Sequence, residues 1–296
     1  MHKFNYFAPT SVREAAAILA KHGPKGKVLA GGTDLLVQVK EHVRGMAPDY
    51  VVSLKDVKEL HQVKFSPRGG LSIGAGATIL EVLDTPGVRE RFPALVQGSA
   101  IIGSIQIQNL ATIGGNICNA APSADSVPPL IAYDATLKIA GARRTREMPL
   151  QDFFVGPGKT VLRPDELLVS VQVPTPPARS GCNYVRHTPR AQMDIAMVGV
   201  ASYVELDRGG RVADARIVLG AVAPTPIRAS EAEDNLRGVE PTDEVVKQAG
   251  ELAAQAESPI SDVRGSAGYR RYMTSVLVQR TLRAALADAR RGRSSA

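Results

Sequence analysis

The apolar positions along the chain change period several times, and each change marks an element. Ser11-Val12-Arg13-Glu14 has the pattern of a capping box, and Ala15, Ile18 and Leu19 give the helix behind it an apolar face. Gly23 predicts its end. A short strand over 27–30, the turn Gly31-Gly32-Thr33-Asp34, a helix from Leu35 to about Val43 and a strand over 50–54 follow, the punctuation of a βαβ unit. A second segment begins near Asp56. It carries a strand at 71–75, helical stretches near 79–83 and 94–101, a glycine-rich stretch over 112–125, and strands at 135–140 and 167–173. Pro174-Thr175-Pro176-Pro177 predicts a boundary. Strands around 182–186, 199–206 and 215–222 then read as an antiparallel meander, closed by helices at 229–236, 243–255 and 266–287. There is no internal repeat of fixed period.

Composition narrows the class. The chain has 296 residues, 44% hydrophobic and 22% charged, enough for two or three ordinary globular domains. No apolar run approaches the roughly 20 residues of a membrane helix. The opening six residues lack the apolar stretch of a secretory signal, so a soluble, cytoplasmic protein is expected. Part of the net charge of +7 sits at Arg280, Arg283, Arg290, Arg291 and Arg293, which reads as a solvated last helix with a basic end. Nucleic acid is the alternative partner for such a tail, but 4% aromatics and no Trp leave base stacking poorly supplied. Two cysteines, Cys118 and Cys182, are too few for an iron–sulfur cluster and form no CxxC pair. The five histidines show no metal spacing. Redox chemistry here would need a borrowed cofactor.

Two stretches carry ligand chemistry. Ala30-Gly31-Gly32-Thr33-Asp34 lies between a strand and a helix, where paired glycines turn the chain sharply and bring bare amides close to an anion. The loop matches neither G-x-x-x-x-G-K-[ST] nor G-x-G-x-x-G, which argues against a nucleoside triphosphatase or a Rossmann site. The run from Gln108 to Asp125 holds a second glycine pair, Gly114-Gly115, with Asn109, Asn116, Asn119 and Asp125. Such a run can wrap an extended polar ligand, amides on phosphate and a carboxylate on a sugar hydroxyl. A tight βα turn and an Asn-stabilised irregular loop are the structural alternatives. Two phosphate-type loops in one chain point to a pyrophosphate.

In this order, AGGTD, ATIGGN and P-x-x-D resemble the FAD-binding subunit of the xanthine dehydrogenase and carbon monoxide dehydrogenase family of molybdenum hydroxylases. Phe4-Asn5-Tyr6-Phe7-Ala8-Pro9-Thr10-Ser11, Gly74-Ala75-Gly76-Ala77-Thr78 and the run from Tyr184 through Arg190 to Asp194-Ile195-Ala196 resemble it too. The resemblance implies an α+β chain: a two-subdomain FAD-binding fold of the PCMH/VAO type over 1–56 and 57–176, a C-terminal domain of antiparallel sheet plus helices over 177–288, and a basic tail over 289–296. It implies that Ala30, Gly31, Gly32, Thr33, Asp34 and Leu35 hold the pyrophosphate side, largely through the main chain. Thr112, Gly114, Gly115 and Asn116 are the second clamp, with Cys118 and Ala124 beside it, and Asp125 bonds a ribityl or ribose hydroxyl. Lys27 and Val28 border the adenine, and Leu167 or Leu168 the flavin. Arg186 falls where many relatives carry a Lys near the flavin ring, and a cation there favours the anionic reduced flavin.

The resemblance further implies noncovalent FAD, since no His stands near the first loop. It places the molybdenum cofactor on a large partner subunit and the [2Fe–2S] clusters on a small one, in a dimer of heterotrimers. The role implied is electron transfer from those clusters to NAD, a quinone or oxygen. A stand-alone flavin oxidoreductase of similar fold, with His187 as its candidate acid or base, and a non-catalytic nucleotide-binding protein are the competing readings.

Overall fold

Strand β1 (Asn5–Phe7) leads into helix α1 (Val12–His22), whose start is fixed by the Ser11 hydroxyl accepting the Glu14 N–H at 3.2 Å. The expected box is rearranged: the Glu14 carboxylate accepts from the Thr10 N–H, at 2.8 Å, rather than from Ser11. Gly23, at φ 78°, closes α1 by donating its N–H to the Leu19 carbonyl. β2 (Gly26–Leu29), α2 (Leu35–Lys40) and β3 (Tyr50–Ser53) complete a parallel sheet of order β1-β3-β2. α2 stops before the expected Val43 because His42 sits at φ 54°, a left-handed conformation that no helix continues through. The computed structural model describes residues 3–43, 45–191 and 193–292.

The second unit opens with the hairpin β4 (Val63–Ser66) and β5 (Gly70–Gly74). Six short helices follow: α3 (Ile79–Asp84), α4 (Val88–Arg91), α5 (Pro93–Ser99), α6 (Ile105–Gln108), α7 (Ile113–Asn119) and α8 (Val127–Ala132). Then come β6 (Thr136–Ala140), β7 (Thr145–Pro149), the small hairpin β8 (Phe154–Gly156) and β9 (Lys159–Thr160), and β10 (Leu167–Val173). Five of these strands form an antiparallel sheet of order β4-β5-β10-β6-β7. The stretch 112–125 is therefore not one loop, since α7 occupies its first half.

The third unit is the expected meander: β11 (Ser180–His187), β12 (Val198–Leu206), β13 (Val212–Gly220) and the short β14 (Ile227–Arg228). α9 (Ser230–Leu236), α10 (Asp243–Gln255) and α11 (Ala267–Arg291) follow; α11 takes in part of the expected tail, and residues 293–296 lie outside the described residues. Side chains alternate across this sheet. Val198, Val200, Val204, Ile217 and Leu219 pack with Leu277, Val278 and Leu282 of α11. Cys182, Tyr184, Ala201, Tyr203 and Val218 face the other way and join the core of the second unit around Leu95, Leu130 and Tyr133. A fully buried Leu or Ile contributes about 1.5–3 kcal/mol, so this shared core welds the two units along the whole sheet face. No helix among the described residues is long and apolar enough to cross a membrane.

Candidate functional site

The turn between β2 and α2 is shaped by what it rests on. A Cβ on Gly31 would stand 1.9 Å from the Leu110 carbonyl oxygen, so only glycine lets the first loop lie against the second unit. Gly32 has φ 72°, the left-handed region that glycine enters without strain. Among the described residues, the main-chain N–H groups of Gly31, Gly32 and Thr33 donate no hydrogen bond within the protein. All three residues are only half-buried, so these donors remain available to a ligand. Ala30 and Leu35 flank the turn, half-buried, and Lys27 and Val28 lie in β2, where Val28 packs against the first core.

Asp34 is the surprise of this loop. A carboxylate beside a pyrophosphate would be repelled by it, and here it is held by amides instead. Its Oδ1 accepts from Gln38 Nε2 at 2.9 Å and its Oδ2 from Asn119 Nδ2 at 2.6 Å. The second bond ties the first glycine loop to the end of α7. Asn119 is a functional-site residue that the sequence reading did not select, although it lies inside the quoted run.

The second glycine pair works differently. Thr112 caps α7, its hydroxyl accepting the Gly115 N–H at 3.0 Å. The Gly114 N–H donates to the Ala75 carbonyl at 3.0 Å, and the Asn116 N–H to the Thr112 carbonyl at 2.9 Å. The amides expected to clamp phosphate are thus already bonded within the protein: those of Gly115 and Asn116 close the first turn of α7 on Thr112, and that of Gly114, with the Ile113 N–H on the Ala77 carbonyl, holds α7 on the Gly74-to-Thr78 turn. A Cβ on Gly114 would meet that turn, 2.5 Å from the Ala75 oxygen. The side chains of this stretch carry what polar reach remains. Asn116 Oδ1 accepts from Ser126 at 2.7 Å, which fixes the amide's orientation. Burial pushes the Cys118 thiol up to about 12, so it stays protonated at neutral pH. Ala124 is buried at the far end.

Asp125 closes the stretch and meets the C-terminal sheet. Its Oδ2 lies 2.6 Å from Arg186 Nη1 and its Oδ1 accepts the Tyr184 hydroxyl at 2.7 Å. Burial pushes the Asp125 carboxyl up, opposed by the Tyr184 hydrogen bond and the Arg186 charge. The same burial, with the Asp125 charge, drives the Tyr184 phenol well above its ordinary range, so it serves as a neutral donor. Arg186 Nη2 is buried with no hydrogen-bond partner. Tyr184 was also missed from sequence; its signal was its place two residues from Arg186 on one strand face. Leu167 and Leu168, expected against the flavin, are both under 5% exposed and sit in the first and second apolar cores.

The segment 112–125 is therefore a bridge, bound to the first loop at Asn119 and to the C-terminal sheet at Asp125. The first loop offers free amides near one end of this bridge and Arg186 of β11 a buried, half-used guanidinium near the other, donors suited to an extended anionic ligand. The chain matches the model of the FAD-binding domain in molybdopterin dehydrogenase over residues 2–176, and that of the CO dehydrogenase flavoprotein C-terminal domain over 183–285.

The chain belongs to this family of FAD-binding flavoprotein subunits.

The xanthine dehydrogenase FAD-binding subunit of Escherichia coli O157:H7 is 33% identical over 96% of this chain and 97% of its own length. The solved carbon monoxide dehydrogenase of Hydrogenophaga pseudoflava superposes with a TM-score of 0.91 at 34% identity, covering 97% of this chain and 98% of that one. Quinoline 2-oxidoreductase from Pseudomonas putida 86 superposes at 0.89 with 31% identity, covering 97% and 98%. FAD is the cofactor of this fold, and the residues present fit it. The free amides of Gly31, Gly32 and Thr33 suit a pyrophosphate, and the orphaned Arg186 Nη2 wants an acceptor.

Proposed function

We propose that this chain is the electron-transfer subunit of a heteromeric molybdenum hydroxylase, receiving electrons from [2Fe–2S] clusters on a small partner and passing them to an outside acceptor. A large partner would carry the molybdenum cofactor, and two such heterotrimers would pair. When bound, FAD supplies the ability to accept electrons singly and deliver them as a pair. Gly31, Gly32 and Thr33 would hold its pyrophosphate through their N–H groups, beside a bridge segment anchored at both ends. Lys27 and Val28 would border the adenine, and Asn116 would face the ligand beside Gly115.

The observation that carries this reading is the acid–base state of the site. Among the described residues of the site, Tyr184 and Cys118 are held protonated by burial and Asp125 is already bonded to two protein donors, so none of these three is poised to take a proton from a substrate. His187, the candidate acid or base of a stand-alone oxidoreductase, is instead paired with the Tyr269 hydroxyl at 3.1 Å. Such a site suits holding and tuning a carrier.

Anaerobic absorbance at the flavin band tests the reading. The FAD-loaded chain, mixed alone with a purine or N-heterocycle, should keep its oxidised spectrum and still bleach with a strong chemical reductant. Adding separately prepared molybdenum and iron–sulfur subunits should make the organic substrate bleach it. Bleaching by the organic substrate without partners would overturn the subunit role and favour the stand-alone enzyme.

A further inference from the structure

The joint between α10 and α11 ends in a protruding turn, Asp262-Val263-Arg264-Gly265. The main chains of Asp262 and Gly265 exchange two hydrogen bonds, each of 3.2 Å. Asp262 Oδ1 also accepts the Arg264 N–H at 2.9 Å and Arg270 Nη2 at 2.8 Å. Arg270 is itself buried, and its Nη1 donates to the Met197 carbonyl at 2.7 Å. The turn is thus fastened from inside and pre-organised. At its tip Val263 is 99% exposed, and Ile260, just before it, is 67% exposed. Turns favour Gly, Asn, Asp or Ser, so a β-branched apolar residue at the tip meets no local need. Tyr269 and Tyr272, three residues apart near the start of α11, share a face and are also exposed. The Tyr269 hydroxyl is fixed by His187. Residues 262–271 include Arg264, Arg270 and Arg271 against the single carboxylate of Asp262, and no lysine. An apolar tip with tyrosines and arginines has the composition of an interface centre.

We propose that this turn, with Ile260, Tyr269 and Tyr272, is the docking face for the small iron–sulfur partner, whose matching surface is an apolar pocket rimmed by carboxylates. The proposal rests on the subunit reading above. Charge selects this occupant. A [2Fe–2S] cluster held by four thiolates is net negative when oxidised, so a face that passes its electrons is electronegative and complements the arginines. A second copy of this chain would set Arg264 and Arg271 against their own like. A rigid turn fits a shaped pocket better than a fluid lipid surface. Position agrees with charge. Arg270 Nη1 also reaches the Ala221 carbonyl at 3.4 Å, and the Ala221 N–H donates to the Pro122 carbonyl of the bridge segment at 2.8 Å. The turn is therefore two hydrogen bonds from the segment proposed to lie beside FAD, and electrons cross only short gaps.

The test measures binding of the FAD-loaded full-length chain to the separately prepared iron–sulfur subunit, immobilised on a sensor surface. Val263→Asp should weaken the affinity on the order of 30-fold or more, the loss expected at an interface hot spot. Arg271→Glu should slow association on the order of 10-fold at low salt, and the difference should close at high salt. Val263→Asp should keep the parent's melting temperature and flavin spectrum, because a side chain 99% exposed holds nothing inside the fold. Should it melt early, Tyr272→Ala takes its place with the same direction of effect. Parent-like affinity of the variant for the iron–sulfur subunit overturns the proposal. So does a loss seen only toward the separately prepared molybdenum subunit, only toward a second copy in sedimentation, or only toward vesicles of anionic phospholipid. A parent chain that binds neither partner subunit overturns the subunit reading beneath it.

Discussion

Gly114 and Gly115 adjoin in sequence and are needed for different reasons. Gly114 lies against main chain, with the Ala75 oxygen 2.5 Å from where its Cβ would be, and main chain there cannot withdraw without moving α7. Gly115 would meet only a side-chain atom, Thr112 Oγ1, at 2.8 Å. Gly114→Ala should therefore cost about 1–3 kcal/mol, the usual range for overpacking. Gly115→Ala loses about 1 kcal/mol of capping and regains about as much in helix propensity, so it should come out near zero. Urea unfolding of both variants checks the contrast, and equal losses would contradict it. The sequence displayed both glycines and could not rank them, because the difference lies in what each faces. The same limit hid Tyr184, whose part in the site depends on Asp125 arriving from elsewhere in the chain.

At the scale of elements, strength of period decided what could be read. β10 is bounded as expected because a run of Leu and Val stops at Pro174, despite a register irregularity between Leu168 and Ser170, and α10 because Thr242 caps an amphipathic run. α7 escaped because two glycines and two asparagines, all weak helix formers, make up more than half of it. It forms through tertiary bonds to Ala75 and Ala77 that local propensity cannot report. The joint between α10 and α11 offers a different test. Glu257 is 6% exposed, accepts the Thr274 hydroxyl at 2.7 Å and has its other oxygen buried without a partner. Burial raises its carboxyl from 4.5 to about 6, only partly opposed by Thr274, Arg271 and Arg270. The folded chain thus holds this proton more tightly than the unfolded chain does. Stability from this group falls as pH rises from about 4.5 to about 6, then stays level, a loss on the order of 2 kcal/mol. Glu257→Gln should be more stable than the parent at pH 7.5 by up to that amount and nearly equal to it at pH 4.5. Chemical denaturation at both values would expose an error in sign.

For the whole molecule, the change to an antiparallel meander beyond the proline-rich boundary after Val173 was legible. What could not be read was that one face of the C-terminal sheet completes the core of the unit before it. The shared core predicts a single cooperative unfolding transition for residues on both sides of that boundary. It also predicts that a ligand held by one unit stabilises both. FAD at a hundredfold excess over its Kd should add about 2.7 kcal/mol to global stability. A calorimetric scan with and without FAD should show one peak moving upward; two peaks, of which only the earlier shifts, would contradict the shared core.

The seating of Gly31 on the Leu110 carbonyl, and of Asp34 on Asn119, also sets an order of events during synthesis. A ribosome that has made only the first parallel sheet has made the pyrophosphate loop's sequence and not its shape. The loop acquires its support after α7 emerges, and the guanidinium that closes the junction comes later still, from β11. Cofactor loading must then follow translation of most of the chain. A premature stop between Asp125 and Tyr184 would release a polypeptide in which Asp125 lacks both of its native donors and the core face that the C-terminal sheet covers is bare, a fragment open to disposal.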